Sequence, residues 1–279
     1  MNQEIIIIVD VFEKTSEFTK FHIQKKVITY GGDDNNPEEY IDSDSDDDYA
    51  DPAGKPNLNK EFYVISEDYD ELDINNTEMY IDDKKCDFSK ECKFDKKGKH
   101  TVKYVINKTL TTLSGMFYNC YYNEKITFNI KTDEVLYMND LFNNCKGLVS
   151  VEFNNFNTKK VETMSQMFAE CYSLKAINLD SFDTKNVKSM YAMFTFCISL
   201  PEIEISHFNV ENLENCSEMF VGCKSLEEID IKNFVGKHLN NCGYMFLECP
   251  KLESLSATPQ ILEANKSMIP KGCNIVMFA

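Results

Sequence analysis

One short pattern recurs six times in the C-terminal half of the chain, and its period constrains the fold more than any other feature. The copies are most easily read at a pair of large apolar residues: Met116-Phe117, Leu141-Phe142, Met167-Phe168, Met193-Phe194, Met219-Phe220 and Met245-Phe246. Successive phenylalanines lie 25 residues apart once and 26 apart four times. A fixed period between about 20 and 50 residues marks a tandem array, in which each unit buries its apolar side against its neighbours. Such arrays present long regular surfaces, which directs attention to binding rather than catalysis.

Each copy has two halves with different apolar spacing. The first reads apolar-x-x-apolar-x-x-apolar-Phe-x-x-Cys, as in Val161, Met164, Met167, Phe168 and Cys171. Offsets of 0, 3, 6, 7 and 10 put five side chains on one helical stripe and fit no strand, so a short helix is predicted. Thr132, Thr158 and Thr184 precede the stripe where an N-cap hydroxyl would accept a free backbone N–H; Val210 and Gly236 take that slot in later copies. The second half reads Leu-x-x-apolar-x-apolar-x-x-Phe, as in Leu226, Ile229, Ile231 and Phe234, and predicts a short strand with one buried face. Stacking would align these strands in a parallel sheet. The fold class expected is α/β: a leucine-rich-repeat solenoid with a parallel sheet and short helices, preceded by a small β module.

The stretch FNTKKVETMSQMFAECYSLKAINLDSFDTKNVKSMYAMFTFCISL resembles the BspA-type leucine-rich repeat, whose phrase is F-x-T-x-x-V-x-x-M-x-x-M-F-x-x-C-x-S-L. The resemblance covers roughly residues 107–257. It implies a solenoid that binds other macromolecules, commonly at cell surfaces, and it brings no catalytic residues. Two places depart from the phrase. ITFNIKTDEVLYM lacks the regular return loop, and residues 258–279 lose the repeat and read as a terminal cap.

Composition narrows the partners. The formal charge is −17, divided as −11 up to residue 109 and −6 after it. Nucleic acid is a poor partner for such a surface, because phosphate binding needs a net basic face. All 29 basic residues are lysine, which removes the guanidinium clamps that phosphate-handling sites favour. MNQEIIIIVDVFEK has a five-residue apolar run, too short for a secretory signal, and no stretch approaches the roughly 20 residues of a membrane span. A cytoplasmic monomer is expected, with a cell-surface address as the alternative; the sequons at Asn107 and Asn265 matter only in that second case.

Six of the eleven cysteines (Cys120, Cys145, Cys171, Cys197, Cys223, Cys249) hold one slot of successive copies, and Cys216 and Cys242 take a methionine slot. They read as buried, reduced thiols, since neighbouring units lie farther apart than the roughly 7 Å that a disulfide tolerates between Cα atoms.

The N-terminal part, 1–106, reads as a β module with strands at 4–11, 18–29, 61–66, 78–82 and 101–106. Its acidic insertion, 31–60, has almost no aliphatic side chains and is expected to stay disordered. Within it, Ser43 and Ser45 each have Asp at +1 and +3, a context for phosphorylation by an acidophilic kinase. Asp44, Asp46 and Asp48 lack the glycine and distal glutamate of a calcium loop, and Cys86, Cys92 and His100 lack zinc-knuckle spacing. No nucleophile, acid and base stand at motif spacing around the histidines. Neither a metal nor a cofactor is expected.

What remains for function is the outward face of the strands. Glu152, Asn178, Asp180, Glu202, Glu204, Glu228 and Asp230 alternate with apolar residues and point away from the core. The expected function is a non-catalytic protein-interaction scaffold taking a basic or polar segment of a partner protein on this acidic, concave face. A surface adhesin of the BspA type, exported without a recognisable signal, is the alternative.

Overall fold

The computed structural model describes residues 3–11 and 61–278. The strand expected at 18–29, the acidic insertion, and Ser43 and Ser45 lie outside these residues. The elements in chain order are β1 (Gln3–Val11), β2 (Phe62–Tyr63), β3 (Thr77–Ile81), β4 (Lys84–Cys86), β5 (Glu91–Cys92), β6 (Gly98–Ile106), β7 (Asn123–Asn129), β8 (Ser150–Asn154), β9 (Glu228–Asp230), β10 (Ser254–Ala257), α1 (Pro259–Ala264) and β11 (Asn274–Met277).

The largest sheet has six strands in the order β4-β3-β6-β1-β7-β8. Its β1 is central because its β-branched run is buried on one side: Ile5, Ile7 and Val9 are fully enclosed. Ile7 stands opposite Val102 of β6 and Ile126 of β7, both antiparallel to β1, whereas β7 and β8 run parallel. Asp82 and Asp83 form the two-residue hairpin loop between β3 and β4, both at positive φ (48° and 62°), as a primed turn requires. A second, parallel sheet has the order β11-β10-β9.

The expected α/β leucine-rich-repeat solenoid is corrected by this architecture. The described residues are mostly β with a mixed sheet, the only α-helix among them is the six-residue α1, and no solenoid of that class is present. Where helices are predicted, each copy instead makes two tight turns. In the third copy Met167 N–H bonds Met164 O and Ala169 N–H bonds Gln166 O, while Gln166 and Glu170 adopt left-handed backbone (φ 55° and 57°). The same pair of slots is left-handed in every copy, from Gly115 and Asn119 to Tyr244 and Glu248. A left-handed residue every fourth position stops a helical ladder from propagating. The N–H groups between the turns are spent on the next copy: Gln166 on Tyr191 O (2.8 Å), Phe168 on Met193 O (2.9 Å) and Glu170 on Thr195 O (2.7 Å). Parallel bridges link Thr112, Tyr137, Thr163, Ser189, Asn215 and Asn241 in turn, so copies lie over one another as turn-built layers. The 3–4 spacing that reads as a helical stripe is here the spacing of inward corners of successive turns.

Every Met-Phe or Leu-Phe pair is buried. The rings of Phe117, Phe142, Phe168, Phe194, Phe220 and Phe246 stack face to face, with centroids 5.2–6.1 Å apart and planes within 16°. Beside them runs the cysteine file. Cys171 Sγ donates to Phe142 O (3.2 Å), Cys197 to Phe168 O (3.1 Å) and Cys223 to Phe194 O (3.1 Å), and all eleven cysteines are unpaired thiols. The threonines are not helix caps. Thr132, Thr158 and Thr184 each donate a hydroxyl proton to a carbonyl one copy further on, at Asn157, Asp183 and Asn209 (2.8–2.9 Å).

The predicted strand half forms in β8, β9 and β10, but the third and fourth copies have only the bridge from Glu202 to Glu228. Pro201 accounts for part of this. Val149, Glu227 and Glu253, its counterparts, each donate an N–H to the preceding copy, and proline has none to give. At the far end α1 is capped by Thr258 and begins with Pro259, and Ile261 closes over the core. Asn265 is fully buried: Nδ2 donates to Cys242 O (2.7 Å) and Ile261 O (2.8 Å), and Oδ1 accepts Met245 N–H (2.8 Å). Its sequon is therefore a structural end-piece that no glycan can reach, whereas Asn107 is exposed.

Candidate protein-interaction face

Alternation along the strand halves sends one set of residues into the core and the other outward. Val151, Leu179, Ile203, Ile205, Ile229 and Ile231 are buried; Glu152, Asn178, Asp180, Glu202, Glu204 and Glu228 are exposed and Asp230 is half-buried. The seven residues do not form one uniform patch. Glu152 is neutralised by Lys125 of β7 (2.5 Å) and accepts from Thr127 (3.2 Å), and the Lys125 bond holds its carboxyl below the ordinary carboxylate value. Asn178 and Asp180 bind each other, through Asp180 N–H to Asn178 Oδ1 (2.9 Å) and Asn178 Nδ2 to Asp180 Oδ2 (3.2 Å).

A local motif recurs at the middle position. The side-chain oxygen accepts the N–H two residues on in three consecutive copies: Asn178 from Asp180, Glu204 from Ser206 (2.7 Å) and Asp230 from Lys232 (3.2 Å). These Asx-type closures shape the return loop. The hydroxyl and N–H of Ser206 hold the Glu204 carboxyl below its usual value, against smaller opposing pushes from burial and, less, from Asp230. Asp230 is also paired with Lys232 (2.6 Å). Glu202 and Glu228 are different. They are exposed and sit on bridged neighbouring rungs, and their carboxylates have no hydrogen bond or ion pair within the described residues. The structure thus gathers Glu202, Glu204, Glu228 and Asp230 on two adjoining rungs and leaves the first and third carboxylates open.

Lys125 and Thr127 were missed as members of this face. The alternation Lys125-Ile126-Thr127-Phe128-Asn129 carries the signal, but it lies in the irregular copy where the return loop is absent.

A second polar site lies at the junction between the N-terminal sheet and the first copy. It is an open cleft of about 470 Å³ lined by Asp68, Asp70, Glu71, Lys108, Thr111 and Ser114. Burial pushes the Glu71 carboxyl up, but bonds from Lys108 and Thr111 outweigh it and keep the group ionised below its ordinary value. Lys108 and Glu71 thus face each other as an ion pair on the wall of the cleft. His100 is bonded to Asp82 (2.7 Å) and to Lys96 O (2.9 Å) and stacks on Phe94. Among the described residues, no three His, Cys, Asp or Glu side chains are grouped to hold a metal, and no helix is long and apolar enough to cross a membrane.

Fold and face together define a tandem-repeat β protein whose layers share one aromatic interior and present an open row of polar side chains. The family model described as "Mycoplasma protein of unknown function, DUF285" matches residues 87–197 and 138–258, more than half of the chain, and the chain belongs to that family. No curated protein and no solved structure matches. The match corrects the BspA-type resemblance read from the repeat phrase, and the adhesin alternative loses the likeness that carried it.

Proposed function

We propose that the chain is a non-catalytic protein-interaction module, and that a basic, extended segment of a partner protein lies across the rungs of Glu202–Glu204 and Glu228–Asp230. The observation that carries this reading is the pair Glu202 and Glu228. Like charges facing each other on neighbouring strands cost roughly 0.2–1 kcal/mol, and among the described residues no lysine is paired with either carboxylate to offset the repulsion. A lysine-rich strand would supply the missing counter-charge, and the screening of such contacts by salt gives them a clear signature. Residence in the cytoplasm is part of the proposal, supported by eleven unpaired thiols that suit a reducing compartment.

The test uses a labelled lysine-rich peptide and native cell extract. Glu202→Lys with Glu228→Lys changes the formal charge only from −17 to −13. The double variant is expected to weaken peptide binding at least tenfold and to lose partner capture, while reversal of the exposed Glu211 and Glu263 changes little. Equal losses in the two variants would reduce the effect to bulk charge and remove this face from consideration. Glu228→Gln alone should raise folding stability by up to about 1 kcal/mol while weakening binding.

A further inference from the structure

The three-stranded sheet ends in β11, and no strand covers its outer side among the described residues. Its side chains are apolar and open to solvent: Ile275 is 46% exposed, Val276 40%, Met277 63% and Phe278 40%. The opposite edge of the large sheet is different, since β4 carries the exposed pair Lys84-Lys85, a usual means of blunting an edge. We propose that β11 pairs with β11 of a second copy of this chain, antiparallel, about a two-fold axis through Val276.

Three observations select a second copy. The first is the direction of the main-chain groups. Asn274 N–H bonds Glu253 O (2.7 Å) and Phe278 N–H bonds Ala257 O (3.1 Å), so the even-numbered residues are turned toward β10. Ile275 and Met277 therefore turn their N–H and C=O outward. An axis through Val276 sets Ile275 opposite the partner's Met277, and each such pair exchanges two hydrogen bonds, four in all. The second is side-chain direction. Ile275 and Met277 are in register with Leu255 and Ala257, which are fully buried, so they stand on the core side of the sheet. In this register each covers its counterpart, and the apolar interior runs on from one copy to the next. The third is charge. Residues 258–279 hold two lysines and one glutamate in a chain of formal charge −17, so this end is where two copies meet with least repulsion. The lysines of β4 disfavour head-to-tail growth, and the two-fold arrangement closes as a dimer. A four-residue strand pair is a small interface, so the dimer is a weak one, dissociating in the micromolar range or above.

Sedimentation equilibrium of the full chain under reducing conditions tests this. The apparent mass is expected to rise toward twice that of one chain as concentration increases. Met277→Pro removes an outward N–H and leaves the bonds to β10 in place; Met277→Lys puts a charge in the shared interior. Both variants should associate at least tenfold more weakly, with unchanged circular dichroism, while Lys85→Ala associates as the parent does. A single-chain mass at every concentration overturns the proposal. So does undiminished association of both Met277 variants, which would assign the contact to another surface, or capture of a different protein on this edge by a chain that stays monomeric.

Discussion

At the scale of single residues, the layers depend on backbone that most side chains avoid. Ten of the twelve left-handed positions in the turns are not glycine, and among them are Ala192 (φ 52°) and Phe196 (φ 58°), which gain nothing from a local side-chain bond of the kind Asn offers. Ala192→Gly should therefore stabilise the fold by about 0.5–1 kcal/mol, read from the denaturation midpoint, because the relief of Cβ strain exceeds the entropy lost by glycine. Gly222 is the reverse case. It is left-handed (φ 69°), and an added Cβ would overlap the ring of Phe196 in the neighbouring copy. Gly222→Ala should cost about 2 kcal/mol or more. An unchanged midpoint for both substitutions would mean that the turns are not built this way. Nothing in one copy marks Gln166 or Ala192 as left-handed, since neither residue type prefers that region; Gly115, Asn119, Asp140, Asn144 and Gly222 are the legible hints.

Within one copy, the contest is between a helix and a pair of turns. Apolar offsets of three and four suit both, because both return the chain to the same side every three or four residues. What separates them is the destination of the backbone N–H groups, and these go to carbonyls 25 residues on, as in Met164 to Ser189 O (2.9 Å). The threonine slot shows the same choice. A helix cap uses the hydroxyl as acceptor, whereas Thr158 donates to Asp183 O (2.9 Å). Thr158→Val should cost about 1 kcal/mol, and Ser should restore it. Asp, a good cap but without a proton to give, should not; recovery by Asp would reinstate the cap.

Across the whole molecule, one interior runs through all layers, and its thiols couple stability to pH. Burial pushes Cys145, Cys171, Cys197 and Cys223 well above the ordinary thiol value of 9.0, and pushes Cys92 and Cys249 to about 12. Well below 9.0 both folded and unfolded thiols hold their protons and the balance is unaffected. As pH rises from about 9 toward 12, the unfolded chain ionises and the folded chain does not, so stability falls, by up to about 1.4 kcal/mol per thiol per pH unit. Urea titrations between pH 7 and 10.5 should show this fall begin near pH 9, and replacing Cys171 and Cys197 by Ala should make it shallower; an identical slope in the variant would show that the thiols are not its source. The acidic face also belongs to this scale. Alternation places Glu202 and Glu228 outward, but only the stacking of the fourth and fifth copies puts them on adjoining rungs, with no lysine paired to either among the described residues. From the amino-acid sequence alone came the identity of the interior: the period, the six phenylalanines and the cysteine file follow from apolar content repeated at fixed intervals, which must be hidden whatever the backbone does. Turn or helix, one sheet or two, and which carboxylates stay unpaired were decided by tertiary structure, because each rests on hydrogen bonds and charges between residues a full copy apart, and no local stretch contains both partners.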